Sequence, residues 1–187
     1  MSHGTDPMLT DGVVVLRPPS DTDADAVALA VTESIDALRQ WMPWAAGTYD
    51  VDAARHWIGM VADGGEHGFL VFDAADANAV LGSCGLNELD GLNRSANLGY
   101  WIHTAHAGRG HATRAARLVA RFGHEELGLH CIRISSSVEN VASCRVAERL
   151  GAHLDGTVRG RLFLNGVHHD ARVYTLLPGE VTDIPVR

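Results

Sequence analysis

Apolar and polar positions along the chain alternate between a strand-like period of two and a helical period near four. Val13–Arg17 ("VVVLR") is a β-branched run stopped by Pro18-Pro19, which predicts a strand. Ser20 can cap the helix that follows, with Asp21, Asp23 and Asp25 near its positive end. Val27, Ala30, Val31, Ile35 and Leu38 keep helical spacing until Pro43 breaks it inside "QWMPWAAG". A second helix is predicted from Val51 to Ala62, where Gly64-Gly65 stops it. Three strand-like segments follow, Gly68–Asp73, Ala79–Glu88 and Ala96–His103, joined by the turn-rich links "AADAN" and "DGLNRS". Links this short predict an antiparallel meander.

A helix from His111 to Leu127 then carries Ala112, Ala115, Ala116, Val119 and Phe122 on one face, and Gly128 ends it. Cys131–Val138 reads as a strand, and Asn140 opens a helix that runs through Leu150 to Gly151. The last strands, His153–Leu164 and His168–Leu177, meet at the hairpin dipeptide Asn165-Gly166. No repeat or linker divides the pattern, so one α/β domain is expected over residues 9–178. Residues 1–8 read as a flexible lead-in and 179–187 as a tail.

Composition narrows the function classes. A formal net charge of −8 disfavours direct nucleic-acid binding, which needs a basic footprint, and favours a cationic or amine-bearing partner. Three scattered cysteines without C-x-x-C spacing point to buried thiols in a reducing compartment, hence the cytoplasm. Apolar runs are too short or too interrupted to span a membrane, and the first residues carry no signal-peptide pattern. Eleven histidines raise the question of a metal. His124 and His130 lack the i, i+4 spacing of a helical ligand pair, and His168 and His169 point to opposite sides of a strand, so no metal is expected.

The stretch "HAGRGHATRA" is the strongest chemical signal. It joins a strand ending near His103 to a helix opening near His111, where free backbone N–H groups and the helix dipole meet an anion. Gly108 and Gly110 allow close approach and unusual dihedrals, and Arg109 adds positive charge. Gly-Lys-Ser/Thr does not follow, so this is not a Walker loop. Arg114 stands where a dinucleotide fingerprint needs its third glycine. On spacing alone, a tight turn and an anion cradle both remain open.

"AGRGHA", Ala107–Ala112, resembles the acyl-CoA loop of the GCN5-related N-acetyltransferases, Q/R-x-x-G-x-G/A, with Gly110 and Ala112 at its last fixed positions. Ala107 departs from the pattern's Gln or Arg, whereas Gly108 is typical of the RimJ/RimL-like branch. Further pieces resemble that branch in order: "VLRPPSDTDADAVA", "LRQWMPWA", "LGYWIH", "ENVASCRVAERLGA" and "NGVHHDARVYTLL", so the likeness runs from Leu9 to Leu177. The resemblance implies a mixed, mostly antiparallel sheet with helices on both faces and a splay between strands four and five. It implies acetyl-CoA as acetyl donor, its pantetheine arm held by the backbone of Tyr100, Trp101, Ile102 and His103. Gly108, Arg109, Gly110, His111, Ala112 and Thr113 would hold the pyrophosphate. Asn140 would bond the arm, and Ser143 would lie near the thioester sulfur.

Amine acetylation by direct attack needs a neutral amine, a donor for the oxyanion and a proton for the departing thiolate. The backbone N–H of Trp101 or Ile102 is the candidate oxyanion donor, and Ser143 the candidate acid. Glu88 is the candidate base, directly or through water; an exposed strand-end carboxylate is the competing reading. Asn97 and Leu162 stand where branch members commonly carry carboxylates. His103, His106 and His111 are proton acceptors by residue type, but their place in the loop fits a cofactor contact or solvent better than a base. Trp41 and Trp44 flank Pro43 and read either as core anchors or as a wall of the acceptor pocket. The resemblance puts a protein N-terminal amine first as acceptor. A small-molecule amine such as an antibiotic, polyamine or amino-acid derivative is second, and a noncatalytic acyl-CoA-binding sensor is the rival of another class. Dimers are common in the branch, so a homodimer is a further expectation.

Overall fold

A computed structural model describes residues 7–76 and 79–183. Residues 1–6 of the expected lead-in, 77–78 of the "AADAN" link and 184–187 of the expected tail lie outside the described residues. Eight strands form one sheet: β1 Leu9–Thr10, β2 Val14–Arg17, β3 His67–Asp73, β4 Gly82–Asp90, β5 Ser95–Ile102, β6 Cys131–Ser137, β7 His153–Leu164 and β8 Val167–Leu176. Their spatial order is β1-β2-β3-β4-β5-β6-β8-β7. All pairings are antiparallel except β5 with β6. The helices are α1 Ala24–Arg39, α2 Val51–Ala62, α3 His111–Glu125 and α4 Val141–Leu150.

The two-residue β1 has too few positions to show an alternation, and its presence moves the expected splay from strands four and five to β5 and β6. That splay is present. β5 and β6 pair only through Ser95–Asn97 against Cys131–Arg133. Beyond that, β5 stays on β4 up to Ile102, and β6 stays on β8 up to Ser137, so the two strands part. Val80 and Leu81 are buried before β4 begins at Gly82, which explains why the apolar pattern placed that strand's start too early.

Helices cover both faces, and the strand residues divide between them. On β3, Phe69 and Val71 face the core under α3 and α4, with Leu86, Val119, Phe122 and Ile132. Leu70 and Phe72 face the core under α1 and α2, with Val27, Val31 and Trp101. Burial on both sides is why "GFLVF" is continuously apolar instead of alternating. The Ser20 signal is real but local. It precedes a 3₁₀ turn, Asp21–Asp23, ahead of α1. The Asp23 carboxylate accepts from the Ser20 N–H and hydroxyl and from both terminal nitrogens of Arg17, at 2.8 Å each. The arginine bonds hold the Asp23 carboxyl down at about 2. Residues after β8 also take part in packing: the Thr182 N–H donates to Leu150 O (2.9 Å), and buried Arg117 on α3 donates to the carbonyls of Arg149 and Thr182.

Candidate functional site

The parted strands give β5 a free backbone edge, and alternation decides which amides point into it. The Cys131 N–H donates to Arg94 O across to β6, whereas the His103 N–H donates to Leu81 O on the β4 side. Even-numbered residues of β5 therefore present their N–H and C=O groups toward β6. Tyr100 and Ile102 face the divergence; the backbones of Trp101 and His103 are turned to β4. Of the two N–H groups considered for an oxyanion, Ile102 has the required direction and Trp101 does not. The His103 side chain is also engaged, 2.8 Å from Glu33 Oε2, and the next N–H, of Thr104, donates to Ser34 Oγ. These contacts fix the end of β5 to α1.

A short 3₁₀ turn, Thr104–His106, leads into the glycine loop. Gly108 and Gly110 take φ of 77° and 86°, the left-handed region that side chains avoid. A Cβ at either would touch nothing within 4 Å, so conformation demands glycine here, and the surroundings stay open. Gly110 precedes α3 without a side-chain cap, which leaves first-turn N–H groups facing outward. His111 and Thr113 are buried in that first turn, and Arg109 is exposed. Burial lowers the His111 pKa, and its Nδ1 meets no hydrogen-bond partner among the described residues.

At the start of α4, the Asn140 side-chain oxygen accepts the Ser143 N–H at 3.1 Å. The cap consumes that oxygen and leaves the Asn140 NH₂ for another partner. Ser143 Oγ lies 3.0 Å from the Tyr100 hydroxyl, which also donates to Ser143 O at 3.2 Å. Burial pushes the Tyr100 phenol well above its ordinary range, so it stays protonated. The sequence assigned Tyr100 through its backbone alone. Its phenol carries no local signal in the sequence, because the partner is 43 residues away.

Ser143, Asn140, Tyr100 and Trp101 line one end of a cavity of about 840 Å³ that extends across the sheet to Trp41, Trp44 and Glu88. Ile102, His103 and the glycine loop lie outside it. Its floor is the α2-facing side of β3, β4 and β5, where Gly68, Gly85 and Gly99 pair in one row across three strands. At Gly68 a Cβ would stand 2.6 Å from Val61, and at Gly85 2.7 Å from His67 O. The next same-face pair is Asn87 and Asn97, joined by a 2.9 Å hydrogen bond. Trp44 packs at 5.5 Å from Tyr49 and 6.4 Å from Trp101, so the tryptophan loop is both anchor and cavity wall. Glu88 sits at the rim at φ 50°, its side chain 67% exposed and 3.9 Å from Arg133. Among the described residues no three His, Cys, Asp or Glu side chains gather as a metal site, and no helix is long and apolar enough to cross a membrane.

A sheet opened between two parallel strands, with a left-handed glycine loop on one and an Asn-capped helix after the other, defines the acyltransferase fold that the sequence resembles. The chain matches the acetyltransferase (GNAT) domain over residues 14–153 and belongs to that family. It is an N-acetyltransferase, which displaces the noncatalytic alternative left open by Asn97 and Leu162. It is 32% identical over 173 residues to the putative ribosomal N-acetyltransferase YdaF of Bacillus subtilis, covering 89% of this chain and 92% of that protein. Among solved structures, a RimL ribosomal L7/L12 α-N-protein acetyltransferase in complex with coenzyme A superposes with TM-score 0.84 at 21% identity, covering 91% of this chain and 98% of the other. The microcin C7 self-immunity acetyltransferase MccE, in complex with acetyl-CoA and AMP, superposes with TM-score 0.80 at 21% identity, covering 90% and 93%.

Proposed function

We propose that the chain moves acetyl from acetyl-CoA to the α-amino group of a protein N-terminus of ribosomal-protein type. The observation that carries this reading is the Tyr100–Ser143 pair, which stands where the parted strands open into the cavity. The residues present fit the donor. Outward N–H groups of the loop from Gly108 to Thr113, with Arg109 beside them, suit a pyrophosphate. The Asn140 NH₂ and the edge amide of Ile102 suit the amides of a pantetheine arm.

Acetyl-CoA supplies the activated acyl group. The Tyr100 N–H, aimed into the divergence at the cavity end beside Ser143, is the donor for the developing oxyanion, which leaves the Ile102 N–H to the arm. Ser143 Oγ gives a proton to the departing thiolate, and the neutral Tyr100 phenol, whose O–H donates to the Ser143 carbonyl, holds that hydroxyl in place. An α-amino group has a pKa of roughly 7.7–8.0, so modest help deprotonates it. Glu88 at the rim gives that help directly or through water. Trp41 and Trp44 form the acceptor wall. The free thiols of Cys84, Cys131 and Cys144 suit a reducing cytoplasm.

The acceptor assignment draws on the likeness to YdaF, a putative ribosomal N-acetyltransferase, and to RimL, a ribosomal L7/L12 α-N-protein acetyltransferase. A small-molecule amine is the second reading, supported by the aromatic enclosure of the cavity and by the likeness to MccE. Thiol release from acetyl-CoA with peptides beginning Ser or Ala, run beside polyamines and aminoglycosides, decides between them. Turnover of the peptides is expected; turnover of the small amines alone would sink the N-terminal reading.

A further inference from the structure

Glu66 is a carboxylate in the same cavity that the acetyl-transfer chemistry leaves unused. It directly precedes β3, two residues before Gly68, and so continues that glycine's side of the sheet toward Asn87 and Asn97. Its Oε1 accepts the Trp57 indole N–H at 2.5 Å, and Oε2 has no partner among the described residues. Burial raises its pKa, against the pull of that indole bond. The basic side chains lining the cavity are His56 and Arg161, and neither pairs with Glu66; Glu88, the other carboxylate, already faces Arg133.

Trp57 bonds to Glu66, and the rings of Trp41, Trp44 and Tyr49 line the same cavity. A half-buried carboxylate without countercharge, opening into an aromatic-lined cavity, favours an organic cation over water or an anion. The indole bond fixes one oxygen and leaves the other directed at a guest. The glycine row keeps the floor between this corner and the Trp101 end free of side chains.

We propose that Glu66, oriented by Trp57, is a cation seat that selects acceptors carrying a second positive charge besides the reacting amine. The inference rests on the reading of this cavity as the acceptor site. The guest chemistry is an alkylammonium or guanidinium a few atoms from the acetylated nitrogen. A basic side chain near a peptide N-terminus and the second nitrogen of a polyamine both supply it.

The test uses the full chain and Glu66→Gln, which keeps an oxygen for the Trp57 N–H and removes the charge. Acetylation of a Ser-Lys peptide, a Ser-Ala peptide and spermidine is measured by thiol release. Binding of lysinamide and alaninamide to the CoA-saturated protein is followed by tryptophan fluorescence. The wild type should show at least about tenfold higher kcat/KM for Ser-Lys than for Ser-Ala and a similar preference for lysinamide, and Glu66→Gln should erase both preferences. Where both preferences are present and Glu66-dependent, spermidine outpacing the Ser-Lys peptide would assign the second charge to a polyamine, and the reverse order to a peptide. Equal rates on both peptides with equal binding of both amides would overturn the seat and leave the acceptor reading intact. A uniform loss on both peptides in Glu66→Gln would also overturn it. Glu66-dependent lysinamide binding without acetylation of any amine would support the seat and overturn the acceptor reading.

Discussion

The two ends of the site are made of different material. On the divergence side the working groups are backbone: the amides of Tyr100 and Ile102, the glycine loop, and the first turn of α3. On the cavity side they are side chains from three strands, α2 and the tryptophan loop, laid over a glycine floor. In the proposed function the backbone end takes the acetyl-CoA donor and the side-chain end takes the acceptor amine. A mutation at the first end should therefore act on cofactor affinity, and one at the second on acceptor choice.

The harshest break of that division is Gly110→Asp. A non-glycine residue in the left-handed region costs roughly 1–2 kcal/mol, and the new carboxylate repels the phosphates. CoA affinity by calorimetry should fall about a thousandfold, equivalent to about 4 kcal/mol, while lysinamide binding is retained. Ser143→Ala sits at the junction. It should lower kcat by about a hundredfold with little change in the Kd for CoA, and Tyr100→Phe should lower it by less. Trp44→Ala, at the cavity end, should raise the acceptor KM by about tenfold and leave CoA binding unchanged; a parallel loss of CoA affinity would erase the division.

The smallest effect is a control on the scaffold under the acceptor side. The Arg17 bonds hold Asp23 at about 2, against an ordinary 3.8. A depressed carboxyl stabilises the fold above its unfolded pKa and loses that contribution as pH falls through the folded one. Asp23→Asn should cost about 2 kcal/mol at pH 7 in denaturant titration. The difference from wild type should shrink between pH 4 and pH 2, with both ligand affinities at pH 7 unchanged.

The same contrast explains what could be read from the sequence. Gly108, Gly110 and Asn140 announce themselves because each sits beside the helix it starts, and local chemistry is contiguous in the chain. Periodicity likewise placed α2 and β7 at their observed limits. Tyr100 and Ser143 meet only because β5 and α4 flank the divergence, and Trp57 reaches Glu66 only because α2 folds back over β3. No local pattern encodes those meetings. The amide direction along β5 was equally hidden, since it depends on which strand each edge pairs with; that is why Trp101 and Ile102 looked equivalent.

The glycine row carries a consequence for divergence and engineering. Gly68 and Gly85 are locked, because a methyl group at either collides with its neighbours. Gly99 is different: an added Cβ would meet nothing nearer than Asn87 Nδ2 at 3.6 Å, and it would project into the cavity. One position therefore sets the depth of the chamber without disturbing the sheet. Alanine at Gly99 would shorten the chamber and, with the cavity as the proposed acceptor site, narrow the range of accepted amines while the rest of the catalyst stayed as it is.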